Sequence, residues 1–292
     1  MSERWSASGI GLHQATLLRA RLAGGFLLLC LVAMSAASLR ADEASQVGTV
    51  SLANRAPAKV EPISAAELAR AETDPEIAAG REALAAQNWK AALVHFDIAA
   101  QGGNVVAETL AGRMYETGPL MPPDRGHAAA LYRRAALRGY DEAQYRLGHL
   151  YESNLVADLA AAISWYHLAA AQGHDMAIAR MGVAYWSGEG VQQDEAAAVQ
   201  LAQRGAAAGG PASQFLLGSL YLMGSGVPKN KEKAIELYRL SAEHDFYAAQ
   251  QRLSGFYRNG IVVQQDAGLA AYWEDRAAHN IEGMQNSDFL IP

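Results

Sequence analysis

Histidine is the side chain in this sequence best suited to hold a metal ion or to move a proton near neutral pH. Beyond the N-terminal region the histidines are His95, His127, His149, His167, His174, His244 and His279. No two of these stand four residues apart, the spacing that places two imidazoles on one helix face. The sequence also lacks a nucleophile elbow, a Walker loop and a His-Glu-x-x-His motif. We therefore predict no metal site, no cofactor and no catalytic residue.

Glycine pairs and acidic pairs could bind phosphate or activate water, but their positions favour structural roles. The Gly-x-Gly segments at 188–190 and 224–226 recur at the same place in an internal repeat, and no strand pattern precedes them. They are interpreted as turns. The acidic pairs at 141–142 and 194–195 stand where helices are predicted to begin, and negative charge there is favoured by the helix dipole.

The chain repeats itself from residue 107 onward. Five similar segments align without gaps and start at Ala107, Ala143, Ala177, Ser213 and Ala249, at spacings of 36, 34, 36 and 36 residues. This period is typical of helical hairpins that stack, because one hairpin cannot bury its apolar face alone. A shorter loop between Tyr151 and Asp158 accounts for the single spacing of 34.

The first helix of each unit carries an apolar stripe and a small residue. In the second copy, Ala143, Leu147 and Tyr151 are four residues apart, on one side of a 3.6-residue period. Five residues into the segments stand Gly112, Gly148, Gly182, Gly218 and, in the fifth copy, Ser254. Because glycine disfavours helix formation, this column predicts the close approach of a neighbouring helix.

The second helices repeat a ring, an alanine and a turn residue. The ring column is Phe96, Tyr132, Tyr166, Ala202, Tyr238 and Trp273, with alanine replacing the ring in one unit. An alanine follows each of these after four residues, at Ala100, Ala136, Ala170, Ala206, Ala242 and Ala277. Three residues later, a left-handed turn is predicted at Gly103, Gly139, Gly173, Gly209, Asp245 and Asn280. The predicted N-caps are Asp124, Asp158, Asp194, Asn230 and Asp266.

An earlier, more divergent hairpin spans 75–106 and keeps the second-helix spacing of Ala92, Phe96 and Ala100. With the five repeats over 107–280, it predicts an all-α protein, a solenoid of about six helix-turn-helix repeats. Residues 281–292 are interpreted as a C-terminal tail or cap.

The first 41 residues have the order of an export signal. Arg19 and Arg21 precede an uncharged apolar run from Leu22 to Ala37, and small residues follow the run. We predict a signal peptide over 1–41, with an uncleaved membrane anchor as the alternative. Residues 42–74 lack an apolar period and are predicted to be a flexible linker, with a short helix after Ser64.

Charge limits the possible partners. The chain has a formal net charge of -6. Removal of 1–41, which contains four arginines and one glutamate, would make it more acidic still. An acidic surface is unsuited to nucleic acid or anionic lipid, so we predict no nucleic-acid partner, and membrane contact only through an uncleaved N-terminus. Cys30, the one cysteine, lies within the apolar run, so a mature chain would hold no disulfide.

The repeats resemble the Sel-one-like repeat family, relatives of the tetratricopeptide repeats. The best copy has Leu217-Gly218, Tyr221, Gly224-x-Gly226-Val227, Lys233-Ala234 and Tyr238. The similarity extends over roughly 107–280. It implies a right-handed superhelix whose first helices line a concave protein-binding surface, and it brings no catalytic residue. We expect a monomer.

The helix period predicts which residues of the first helices form the partner-binding surface. Positions three before, one after and four after the repeat glycine point away from the predicted core. These positions hold Arg113, Glu116, Tyr145, His149, Glu152, Val183, Trp186, Phe215, Ser219, Leu222 and Arg258. The predicted groove residues among them are Arg113, Tyr145, His149, Val183, Trp186, Phe215, Leu222 and Arg258. Tyr145, Trp186, Phe215 and Leu222 would anchor a partner peptide or helix. Alternatively, Tyr145 and Phe215 pack between adjacent helices, and Trp186 fills the space beside Ala202.

Three functions remain open on the sequence. The favoured one is a non-catalytic exported protein, periplasmic or secreted, that binds a protein or peptide as an adaptor or regulator in the bacterial envelope. The second is a scaffold of a polysaccharide or cell-wall assembly, tethered to the inner membrane, with residues 42–74 as a spacer. The third is a cell-wall or lactam hydrolase, which requires an acid, base or nucleophile assembled in the groove.

Overall fold

The computed structural model describes residues 55–117, 122–153 and 158–280. Within these ranges the chain forms thirteen helices and no strand. In chain order they are α1 (Ala65–Glu72), α2 (Pro75–Ala85), α3 (Trp89–Gln101), α4 (Val105–Thr117), α5 (Arg125–Leu137), α6 (Asp141–Ser153), α7 (Leu159–Ala171), α8 (Asp175–Ser187), α9 (Glu195–Ala207), α10 (Pro211–Met223), α11 (Lys231–Glu243), α12 (Tyr247–Asn259) and α13 (Ala267–His279). The predicted signal peptide over 1–41 and the tail over 281–292 lie outside the described residues. None of the described helices has the length and apolar character needed to span a bilayer.

Helices α2 to α13 form six hairpins, as the repeat pattern predicts. Each hairpin packs on the next, which gives an all-α, right-handed solenoid. First helices also contact each other across the hairpins: α8 packs directly on α10, and α4 on α6. The first helices therefore form a continuous inner layer, and the second helices lie outside it.

The predicted N-caps fix where the second helices begin. Asp158 illustrates the geometry, because its carboxylate accepts a hydrogen bond of 3.0 Å from the backbone N–H of Ala161. The same bond starts the helices after Asp124, Asp194, Asn230 and Asp266. Each cap satisfies a backbone donor that would otherwise lack a partner at the helix start.

The repeat glycines allow a ring to approach the first helix. A Cβ atom on Gly148 would lie 2.8 Å from the Tyr166 ring, and one on Gly112 would lie 2.7 Å from the ring of Tyr132. At Gly182 the ring is absent, since Ala202 occupies its column, and the Leu216 side chain of the next repeat fills the space instead. The glycine column thus marks close packing, as predicted.

The predicted ring column is wrong in the last repeat. In α11 the ring of Tyr238 stands eight residues after the cap Asn230. Eight residues after the cap Asp266 of α13 stands Glu274. Trp273 therefore lies one position earlier in the helix and is buried there. The same one-residue slip explains why Asn280 has a φ of -94° and not the left-handed conformation predicted for it.

The described part of the predicted linker, 55–74, packs on the solenoid. Residues 55–64, here called the N-terminal strap, lie along neighbouring repeats. The backbone N–H of Ala56 donates to Ser164 Oγ at 2.8 Å, and that of Ile63 donates to the Gly139 carbonyl at 3.3 Å. The short helix predicted after Ser64 is α1, which begins with a capping box to Glu67 and packs on α4. The prediction of a flexible linker is therefore wrong for these residues.

Candidate protein-binding groove

A cavity of about 280 Å³ opens among the inner helices, beside the C-terminal ends of α6, α8 and α10. Its larger apolar wall residues are Leu159, Ile163, Val183, Trp186, Leu216 and Met223. Its polar and charged residues are Glu152, Tyr166, Arg180, Ser187, Glu189 and Ser219. Three first helices and one second helix, α7, therefore contribute to one concave site.

An ion pair between a buried arginine and a partly buried glutamate lies at the base of this cavity. Arg180 is 6% exposed, and its Nη2 lies 3.2 Å from Glu152 Oε2. The Tyr166 hydroxyl donates to the same oxygen at 2.6 Å. Burial, reinforced by the neighbouring Glu152 carboxylate, holds the pKa of Tyr166 well above its ordinary value, so this hydroxyl stays a donor. The ion pair thus joins three helices at the cavity floor.

Equivalent polar contacts recur along the inner layer. Tyr132 donates to Glu116 at 2.7 Å in the preceding hairpin, and Glu116 lies 3.7 Å from Nδ1 of His149. Burial alone would raise the pKa of Glu116, but its contacts with His149 and Tyr132 lower it below its ordinary value. Further along, the Tyr238 hydroxyl lies 2.9 Å from Ser219 Oγ. The three tyrosines of the ring column are therefore each tied to the first helix of their own hairpin.

A second cluster surrounds Glu142, where sequence reasoning predicts only a charge at the start of a helix. Its carboxylate accepts from Arg146 at 2.6 Å and lies 2.9 Å from His174 Nε2 in the next repeat. Burial opposes ionisation, but the hydrogen bonds from His174 and Arg146 hold the pKa of Glu142 well below its ordinary range. Glu142 therefore joins two repeats as an ionised group.

Tyr145, a predicted groove anchor, is buried within this cluster. It is 3% exposed, and its ring stacks on that of His174 with centroids 4.8 Å apart. Burial raises the pKa of Tyr145 to about 12. The ring is enclosed between Tyr166 of its own hairpin, 5.8 Å away, and His174 of the next repeat, so the prediction that Tyr145 contacts a partner is wrong and the packing alternative holds.

Phe215 is buried for the same reason. It is 1% exposed and lies between Tyr238 and Phe246, with ring centroids at 5.3 and 5.5 Å. The aromatic residue three positions before the glycine therefore fills the interface between units. It is not a surface anchor.

The cavity includes Glu152 and Ser219 from the predicted surface, and its wall brings together two of the predicted groove residues, Val183 and Trp186. Both side chains are half-buried, as are those of Arg113, His149 and Leu222 elsewhere on the inner helices. Arg258 is exposed and forms an ion pair with Glu274, the residue that replaces the ring in its hairpin. Leu216, and not Trp186, is the side chain nearest Gly182, where a ring at position 202 would lie.

The cavity also includes helix positions that the prediction left out. The cavity includes Arg180 and Leu216, which stand two and not three residues before their glycines, and Met223, which stands five after its glycine. Arg146 and Arg252 occupy the same column as Arg180, and this recurrence of arginine within first helices is the signal that could have identified the column.

The chemistry of the cavity is suited to recognition of a partner. Its apolar walls offer contact area to a bound group, and its ion pair offers a few polar atoms at fixed positions. Polar atoms at fixed positions define the orientation of what binds. The part of the chain that the structure describes contains no cluster of three metal-ligating side chains.

The family model for the Sel1 repeat matches the chain at 105–140, 141–174, 175–210, 211–246 and 248–280. A Sel1 repeat protein from Oxalobacter formigenes is similar in structure, with 28% identity, a TM-score of 0.54, and coverage of 75% of this chain and 87% of that one. The immunity protein Pa5087 from Pseudomonas aeruginosa is 19% identical, with a TM-score of 0.56 and coverage of 78% and 85%, and shows likeness of fold alone. No curated protein matches the sequence.

Proposed function

The chain belongs to the Sel1 repeat family, and we propose that it is an exported, non-catalytic adaptor or regulator of the bacterial envelope that holds a protein partner in its inner groove. Sel1 repeat proteins generally mediate protein–protein interaction, on a fold that is typically a non-catalytic scaffold. We propose further that it works as a monomer in the periplasm or outside the cell.

The cavity beside Trp186 carries this proposal. Val183 and Trp186 are half-buried, and Met223 is 42% exposed, so apolar side chains remain accessible on the inner layer. Aromatic and apolar side chains in a partly desolvated recess contribute most of the binding energy in protein interfaces. The buried contact of Arg180 with Glu152 keeps the floor of this recess rigid, which lowers the entropy cost of binding.

Export is supported by the sequence of residues 1–41. Cell fractionation and N-terminal sequencing test it: a mature chain starting near residue 42 in the periplasm or medium is expected, and an intact, untethered chain in the cytoplasm would contradict it. An intact chain in the membrane fraction would favour the tethered scaffold. In that case the spacer is limited to 42–54, because the strap packs on the solenoid.

Partner capture by a Trp186→Ala variant tests the groove. Trp89 supplies the matched control, because it is 40% exposed on α3, outside the cavity. Trp186→Ala is expected to abolish co-purification of the partner from cells while the melting temperature stays within about 2 °C of wild type. Trp89→Ala is expected to leave capture intact. Loss of capture in both variants, or in neither, would contradict the assignment of the groove.

The hydrolase alternative has a direct test. Purified protein is expected to leave fluorogenic lactam and cell-wall substrates unchanged. Turnover that depends on Glu152 or Glu189, the carboxylates of the cavity, would refute the non-catalytic assignment.

A further inference from the structure

We propose that the cavity beside Trp186 accepts one cationic side chain, an arginine or lysine, from the partner protein. This inference rests on the proposed function and specifies the chemistry of the partner. The observations behind it are the charges around the cavity, the helix ends that meet there and the shape of its apolar wall.

The charged side chains leave the cavity with an excess of negative charge. Glu152 and Glu189 both line it, against the single cation Arg180. Arg180 is 6% exposed, and its guanidinium already contacts Glu152. An incoming anion would have to compete with this carboxylate, whereas a cation would meet Glu189 at the exposed rim and the remaining acceptor capacity of Glu152.

Helix ends add to the negative potential. Helices α6, α8 and α10 end at Ser153, Ser187 and Met223, and residues of their last turns line the cavity. The C-terminal end of a helix carries a partial negative charge, because its last carbonyl groups lack intrahelical donors. The N-terminal end of α7 also reaches the cavity at Leu159, but the Asp158 carboxylate caps it and offsets its partial positive charge.

The apolar walls of the cavity fit the methylene stem of a lysine or arginine side chain. Val183, Leu216 and Met223 offer apolar contacts to a methylene stem, as lysine and arginine require when only their heads remain polar. The Trp186 indole lies in the same wall and can attract the cation through its ring face. A volume of about 280 Å³ leaves room for one such side chain. The net charge of -6 on the whole chain also favours the approach of a basic partner.

Arginine and citrulline pentapeptides provide the test, because citrulline keeps the shape of arginine without its charge. The probes are acetylated and amidated Ala-Ala-X-Ala-Ala peptides with arginine, citrulline or norleucine at X. Binding to the purified protein is followed by NMR at the Trp186 indole N–H, assigned with a Trp186→Phe variant. The arginine peptide is expected to bind about tenfold more tightly than the citrulline peptide, as expected for a hydrogen bond to a charged group. The preference is expected to weaken as salt is raised.

Variants of Glu189 and Glu152 test whether these two carboxylates cause the preference for the arginine peptide. Glu189→Gln and Glu152→Gln are each expected to weaken the arginine peptide several-fold and to leave the citrulline peptide unchanged. Glu232→Gln, on the exposed start of α11, is the control and is expected to change neither. Glu189 makes no contact with the core ion pair in the structure, so its variant remains informative if Glu152→Gln fails to fold.

Equal binding of the arginine and citrulline peptides, tighter binding of norleucine, or an arginine preference insensitive to Glu189→Gln would each overturn the inference. Trp186→Ala separates this inference from the proposed function. If that variant loses the cellular partner while the wild-type protein shows no preference for arginine, the groove binds a protein but the cationic anchor is wrong. An arginine preference without any captured partner would support the cationic site and contradict the proposed function.

Discussion

Adding one methyl group at Gly148 tests whether the inner layer is packed as tightly as the structure indicates. Gly148→Ala would gain about 1 kcal/mol of helix propensity. Its Cβ would, however, lie 2.8 Å from the Tyr166 ring and 3.1 Å from the Ala162 carbonyl oxygen. The ring cannot retreat easily, because Tyr166 is 2% exposed and its hydroxyl is bound to Glu152.

Gly255→Ala is the matched control, since Gly255 is also inside a first helix but a Cβ there would meet no atom within 4 Å. Overpacking costs about 1–3 kcal/mol, so after the gain in helix propensity Gly148→Ala is expected to lose up to about 2 kcal/mol of stability. Gly255→Ala is expected to gain about 1 kcal/mol.

Thermal unfolding, followed by circular dichroism, measures the contrast. At about 2–4 °C for each kcal/mol, the melting temperature is expected to fall for Gly148→Ala and to rise for Gly255→Ala. Shifts of the same sign in both variants would refute the close approach of Tyr166 to α6. Comparison of melting temperatures avoids a two-state assumption, which long repeat arrays often violate.

Two further predictions concern contacts between repeats. Glu142→Gln is expected to lower stability by about 2 kcal/mol at pH 7. Folding lowers the pKa of Glu142 below the carboxyl's ordinary pKa of 4.5. The ionised carboxylate therefore contributes its full stabilising free energy above pH 4.5 and loses it as the pH falls toward the lower pKa of the folded state. The difference in melting temperature between variant and wild type should therefore narrow only below about pH 4.5, and a constant difference down to pH 3 would contradict the ionised bridge. Gly139→Ala is expected to displace the strap, because its Cβ would overlap the Glu61 carbonyl, and so to speed proteolysis within 55–64. Gly173→Ala is the control, because Gly173 also has a positive φ but a Cβ there would meet no atom within 4 Å. Equal rates of proteolysis in both variants would show that the strap is not held at residue 139.

Local pattern was sufficient to predict most of the fold. The repeat period, the helix caps and the small residues depend only on contacts within one or two hairpins. The structural roles of residues such as Asp158 and Gly148 can therefore be predicted from the sequence. The sequence misaligns the last hairpin because Trp273 offers a ring one position before the place that the distance from the cap Asp266 gives to Glu274.

The groove was predicted less well because burial there depends on the neighbouring repeat. Tyr145 and Phe215 stand where the helix period places a groove residue, but each is enclosed between a ring of its own hairpin and a ring that begins the next repeat. The strap was missed for a related reason. Its bond from Ala56 to Ser164 spans 108 residues, and no local pattern specifies such a contact.

Site-specific photo-crosslinking in cells tests most directly whether the inner groove binds a protein. A photoreactive amino acid at Met223 would stand at the exposed wall of the cavity, and one at Gln200 would stand on α9, outside it. A discrete protein adduct is expected from position 223 and is expected to be lost on Trp186→Ala, whereas none is expected from position 200. An adduct at position 200 alone, or equal adducts at both positions that survive Trp186→Ala, would contradict it.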